Sequence, residues 1–343
     1  VPSAADDIAA AVAAAGGALR FDRFVELALY GPHGFYTGTG RAGRRGDFIT
    51  SPEVGPLFGT VLARWIDAEH RRLGSPTDFT VVEVGAGPGA LARSITSDWA
   101  GRAEPSTYRY VAVEVSPAQR ASHPETVVSQ AAMPTEPFTG VVIANELLDN
   151  LPFRLLVWDS GWREAFVAHH AGRFVEVLEP LEEPPPFLPE RAPLGARVPW
   201  QQQAHDWVVD AQRLVAHGSV LAIDYVTPRT AELAAMPWRE WLRTYRGHER
   251  GAHYLAAPGE QDITTQVALD QLPEPAAVRT QAQLLQLFDI DELVEEGRVA
   301  WQAAAASPTV AAMRMRSRVR EAEALLDPTG LGGFLAVLFP TSA

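Results

Sequence analysis

An apolar run, Phe79 to Val84, enters the turn Gly85-Ala86-Gly87-Pro88-Gly89 and passes directly into a helix-forming stretch, Ala90 to Ser97. No other feature constrains the fold as much. A strand that ends in alternating glycines and feeds a helix is the first half of a nucleotide-binding βαβ unit. Glycine suits such a turn because a Cβ would block both the sharp bend and the close approach of a ligand. The helix start adds unpaired N–H groups that attract a polar or anionic group.

The turn reads in two registers. As G-x-G-x-x-A, from Gly85 to Ala90, it matches a dinucleotide fingerprint. As E-x-G-x-G-x-G, from Glu83 to Gly89, it matches an S-adenosylmethionine (SAM) turn. Glu83 favours the second, because a dinucleotide turn more often has an apolar residue there. Further along, Glu114 ends the next apolar run, Tyr108 to Val115. An acid at that point accepts hydrogen bonds from the ribose hydroxyls of an adenosine, although it also suits as a cap for the helix after Pro117. Its spacing from Gly89 exceeds the roughly 20 residues of the dinucleotide pattern, and the loop Asp98 to Thr107 takes up the excess.

Composition removes several chemistries. The 343 residues include no cysteine and no lysine. Disulfides, thiolate nucleophiles, Schiff bases and a P-loop are therefore excluded. A net charge of −13 argues against nucleic-acid binding and against a polybasic membrane contact. The nine histidines show no metal-ligand spacing, so no metal is expected. No G-x-S-x-G elbow is present. No apolar stretch reaches the ~20 residues of a membrane span. The Ala-rich start lacks a basic leader segment, so a cytoplasmic location is expected.

Apolar runs at Phe79–Val84, Tyr108–Val115, Gly140–Asn145 and Ser219–Tyr225, with a weaker one at Thr126–Ser129, read as parallel strands buried on both faces. The expected fold is α/β and Rossmann-like, of the class I methyltransferase type if the SAM register holds. Residues 1–75 form a helical N-terminal cover, and 76–343 form the nucleotide-binding domain, with insertions at about 153–217 and 238–280. Arg154–Trp158, Trp162–His169 and Arg173–Leu178 read as an inserted β-meander. Trp238 to Gly259 reads as an aromatic, arginine-rich loop region, and its exposed part, Trp238 to Tyr245, suits a partner surface. Thr280–Phe288, Ile290–Glu296 and Ser307–Leu326 read as helices, and Gly333–Phe339 as a closing strand.

Ligands of such sheets sit beyond the C-terminal strand ends. Asn145-Glu146-Leu147-Leu148-Asp149 and Asp224-Tyr225 lie there. A helical turn would bring Glu146 and Asp149 to one face. Two carboxylates suit a cationic acceptor such as a guanidinium, and equally well cap a helix start.

These blocks resemble one family as a set. Leu27 to Tyr36, Gly46-Asp47-Phe48-Ile49-Thr50-Ser51-Pro52-Glu53, Val82 to Leu91, Val113 to Pro117, Ala144 to Pro152, Ile223-Asp224-Tyr225, Pro258 to Thr264 and Gly332-Gly333-Phe334 follow in its order. The chain resembles the MidA-like SAM-dependent methyltransferases, a family that includes a mitochondrial complex I assembly factor that methylates a protein arginine. Departures are Val226 after Asp-Tyr and the leucines 147 and 148 in place of aromatics.

The resemblance implies SAM as cofactor, held by Thr50, Ser51, Glu83, Gly85, Ala86, Gly87, Gly89, Glu114, Val115 and Asn145. Glu83 would support the ammonium, and the loop Gly46 to Glu53 would cover the cofactor. Glu146, with Asp149 and Asp224, would be catalytic, and the acceptor a protein arginine nitrogen. A small-molecule N- or O-acceptor, a SAM-binding assembly protein with little turnover and an NAD-dependent oxidoreductase stay open, as does a homodimer.

Overall fold

The computed structural model describes residues 2–37, 50–102, 108–246, 249–307 and 309–341. The basic loop Gly38 to Gly46 and the Gly46–Ile49 part of the expected cofactor cover lie outside them. Two compact units emerge. One holds the described residues of Val1–Phe48 with Leu147–Asp210 and Asp224–Glu274, and the other Ile49–Glu146, Ala211–Ile223 and Pro275–Ala343. This divides the chain differently from a cover at 1–75 followed by one domain. The helix Pro56–Arg72 belongs with the central sheet, and most of both insertions belongs with the N-terminal helices.

The central sheet has seven strands. They are β1 (Thr80–Val84), β2 (Arg109–Val113), β3 (Val128–Gln130), β4 (Phe138–Asn145), β5 (Val215–Asp224), β6 (Ala277–Thr280) and β7 (Leu335–Pro340). Their order is β6-β7-β5-β4-β1-β2-β3. Strands β3, β2, β1, β4 and β5 run parallel, whereas β6 is antiparallel to β7. Every residue of β1 is buried, as helices on both faces of a parallel sheet require. The register sets Val84 opposite Val113 and Ala144, and Ile223 opposite Asn145. Gly85, Glu114 and Asn145 therefore reach one edge, where the order reverses between β1 and β4. That is the ligand edge of an open α/β sheet.

The other unit carries the meander Arg154–Trp158, Trp162–His170 and Arg173–Pro180, turned at Ser160 and at Ala171-Gly172, all with positive φ. Ala18–Arg20 and Arg197–Trp200 complete this sheet. Its core packs Phe21 against Phe24, Phe153 and Tyr254 at 5.3–5.9 Å between ring centres.

Several expected elements change. Trp238–Gly259 is loop only in part, with a 3₁₀ turn at Trp238–Glu240 and strands at Leu242–Arg246 and Glu249–Arg250. Leu242–Arg246 pairs with Glu249–Arg250 and Asp262–Thr265. Trp241 and Leu242 are buried, so 238–245 is no exposed aromatic surface. The short strand β6 precedes the helix Gln281–Leu287, capped by Thr280. No helix among the described residues is long and apolar enough to cross a membrane.

Candidate functional site

Gly85, Gly87 and Gly89 all have positive φ, at 72°, 53° and 78°. The turn is pinned by the Ala86 N–H to Val113 O (3.0 Å) and the Gly89 N–H to Ala86 O (2.9 Å). Glu114 closes it from β2. Its Oε2 accepts from Gly87 N at 3.0 Å and its Oε1 from Ser116 N at 2.8 Å. It therefore ties the glycine turn to the start of Pro117–Arg120. Val115, beside it, is 47% exposed, an apolar side chain in solvent next to a polar anchor.

Glu83 is buried under the turn. Tyr110 OH donates to its Oε2 at 2.8 Å. Burial pushes its carboxyl up to about 8, against the lowering effect of bonds from Tyr110 and the Ala92 backbone. Glu83 links β1 to β2 through Tyr110 and to the following helix through the Ala92 backbone.

Asn145 and Glu146 end β4. Glu146 has φ of +52°, a left-handed backbone that is costly for a residue with a Cβ and recurs at functional sites. Its N–H bonds Ile223 O at 2.8 Å. Its Oε1 accepts from Asn145 Nδ2 at 3.1 Å and from Ser51 N at 3.4 Å. Ser51 Oγ in turn donates to Gln281 Oε1 at 2.8 Å, and both residues are fully buried. Thr50 caps Ser51–Val54 in a reciprocal box with Glu53.

Asp149 and Asp224 organise the loop that follows Glu146. Asp224 Oδ2 accepts from Leu148 N (2.9 Å) and Asp149 N (3.4 Å), and its Oδ1 from Tyr225 N (2.8 Å). Burial raises its carboxyl to about 6 despite these bonds. Asp149 is buried and accepts from the Thr264 hydroxyl. The 3₁₀ turn begins at Leu148, after the left-handed Glu146. Glu146 and Asp149 thus do not share a helical face.

Other residues around the turn carried no signal in the sequence. His123 Nε2 bonds Gly87 O at 2.8 Å, and its Nδ1 bonds Ser129 Oγ at 2.8 Å. Arg120 donates to Glu114 O and Val115 O. Gln119 Oε1 and Asn145 Oδ1 are buried without a hydrogen-bond partner. Buried polar atoms are rarely left so, and a polar ligand at this edge would satisfy both. A Cβ on Gly87 would lie 3.2 Å from that Gln119 oxygen, so the turn keeps a space only glycine leaves. The residues present therefore fit an adenosine-type cofactor.

A family model described as "Putative S-adenosyl-L-methionine-dependent methyltransferase" matches residues 61–287, well over half of the chain. The chain belongs to this family. The MidA-like resemblance holds, SAM is the family's cofactor, and the dinucleotide register is set aside. A Burkholderia thailandensis superfamily member, crystallised with S-adenosyl-homocysteine, has a TM-score of 0.83 at 27% identity, covering 99% of this chain and 92% of its own. The Drosophila melanogaster mitochondrial protein arginine methyltransferase NDUFAF7 homolog is 33% identical over 164 residues, 39% of this chain and 37% of its own length. The Mus musculus protein arginine methyltransferase NDUFAF7, mitochondrial, is 26% identical over 280 residues, 70% of this chain and 62% of its own. The chain thus spans less than two thirds of the length of these curated relatives. Their names place them in mitochondria, which overturns the expected cytoplasmic location.

Proposed function

We propose that this methyltransferase-family chain transfers a methyl group from SAM to a nitrogen of a protein arginine. Bound SAM supplies a methyl group on a sulfonium centre. In this reading Gly85, Ala86, Gly87 and Gly89 border the cofactor, and Glu114 holds the ribose hydroxyls while keeping its bonds to Gly87 and Ser116. Val115 packs against the base. Asn145 and Gln119 use their unpaired oxygens on polar groups of the ligand. Thr50 and Ser51 hold the start of the short helix against Glu146. Glu83 acts as a neutral latch.

An arginine guanidinium keeps its proton up to a pKa above ~12. The nitrogen that gains the methyl must therefore lose a proton as the new bond forms. Glu146 takes it. Asp224 and Asp149 are positioning residues, fixing the loop after Glu146 through backbone N–H groups and Thr264. The observation that carries this reading is Glu146 itself, a carboxylate on a left-handed backbone at the ligand edge, steadied by Asn145 and Ser51. The names of the fly and mouse relatives support arginine as the acceptor class.

The test is radiolabelled-methyl transfer into proteins of the source cell, followed by hydrolysis and amino-acid analysis. Label should appear as methylarginine. In Glu146→Gln it should fall by roughly 10²–10⁴-fold, the usual worth of a general base, with SAM binding retained. Label on another residue, or undiminished transfer, would reject the reading.

A further inference from the structure

A second, positively charged site lies on the unit that carries the meander. An open cleft of about 180 Å³ is lined by Trp238, Arg239, Arg243, Arg250, His253 and Tyr254, with no carboxylate among the described residues of its wall. Three arginines thus gather around one cleft in a chain of net charge −13. Neighbouring arginines are neutralised. Arg246 pairs with Glu260 at 2.8 Å and Arg229 with Glu232 at 2.9 Å. Arg239, Arg243 and Arg250 have no such pairing among the described residues.

The three are nevertheless held in place. Arg250 Nη2 donates to Arg239 O, and Arg243 Nε to Glu240 O, each at 2.6 Å. Arg239 lies over the Trp238 ring at 4.7 Å from its centre. Arg239 and Arg250 are thus each held at one point, and Arg243 by one donor and the Tyr225 ring at 5.9 Å, with no further hydrogen bond of these guanidinium groups among the described residues. Glu176, bonded to Tyr254 of the cleft wall, is already occupied. Glu176 takes a bidentate bond from Arg197 at 2.6 and 2.9 Å and a third bond from Tyr254 OH at 2.6 Å. His253 Nδ1 accepts from Leu255 N at 3.3 Å, which leaves the ring proton on Nε2 as a donor. Burial, with Arg197 and Arg239 nearby, holds this imidazole below its ordinary value. Gly251 lets the wall form, since a Cβ there would come within 2.8 Å of Thr244 Oγ1 and Gln261 Oε1.

Fixed guanidinium forks match the geometry of planar or tetrahedral oxyanions. We propose that this cleft binds an oxyanion, a carboxylate or phosphate group, brought by a free small molecule or by an acidic segment of a partner protein. The assignment is independent of the methyl acceptor proposed above.

Calorimetric titration of the full chain at low salt tests it, with inorganic phosphate in one arm and an end-blocked tetraglutamate peptide in the other. Saturable binding of at least one probe is expected. Arg243→Gln with Arg250→Gln should weaken it about tenfold or more, the worth of a charged hydrogen bond. The exposed pair Arg173→Gln with Arg191→Gln makes the same change in net charge and should leave binding intact. Saturation by phosphate assigns the site to a free oxyanion. Saturation by the peptide alone assigns it to a partner's acidic segment. No saturable binding of either probe, or equal weakening in both double variants, would overturn the proposal.

Discussion

A carboxyl buried as deeply as Glu83 is least costly when protonated. Its folded value near 8 lies above the ordinary 4.5, so the folded state binds the proton more tightly than the unfolded state. The resulting stabilisation is complete below about 4.5 and is lost as the pH rises towards 8. Asp224 acts with the same sign between 3.8 and about 6. Denaturant titrations at several pH values should therefore show Glu83→Gln gaining stability relative to the parent as the pH is raised to 8. A difference that does not change with pH would remove the neutral latch. Glu114 answers a different demand, because its two backbone bonds hold the glycine turn open at the ligand edge. Glu114→Gln should weaken SAM binding roughly tenfold or more. Unchanged affinity would deny it the ribose. The sequence held the identity of both acids but not their division of labour. Tyr110, the hydrogen-bond partner of Glu83, is 27 residues away, and only the pairing of β1 with β2 brings them together.

Elements were legible where their signal is local. The β1 turn and its helix are written in adjacent residues, and the meander announces itself through alternation between two tight turns. Strand β6 was lost because it is an edge strand, with Val278 and Arg279 exposed, and has no apolar run to read. Leu242–Arg246 was lost for another reason. It buries Leu242 and Thr244 and leaves Arg243 and Tyr245 half-buried on the other face, a period-two pattern that its arginines disguise as loop. Asp224 is expected at the site because it ends a strand at the ligand edge, and in the proposed reading it positions the loop after Glu146. Its backbone partner Leu148 is 76 residues away, which no local pattern reveals. One pair of glycines in the sheet is constrained as strictly as the cofactor turn. Gly140 and Gly218 face each other across β4 and β5, with φ of 153° and 150°. A Cβ on Gly140 would stand 1.8 Å from Thr80 O. Gly140→Ala should destabilise the protein by more than about 3 kcal/mol. Gly161→Ala, which meets nothing within 4 Å, should be close to neutral. Similar unfolding midpoints for the two would show that the strands can spread at that point.

At the scale of the whole molecule, the net charge of −13 and the glycine-turn sheet point to a small-molecule cofactor rather than a polyanion. The fold class followed from the sequence because parallel strands buried on both faces read as continuous apolar runs. The division into two units did not, because it joins segments such as Ala18–Arg20 and Trp162–His170 that are far apart in the chain. Location was equally out of reach of local patterns. The most direct measurement is calorimetric titration of the chain with SAM, S-adenosyl-homocysteine and NADH in parallel. A cofactor held by the Gly85–Gly89 turn and Glu114 predicts saturable micromolar binding of the first two, at about 8 kcal/mol, and none of NADH. Binding of NADH in preference to SAM, or no binding of either adenosyl compound, would contradict it.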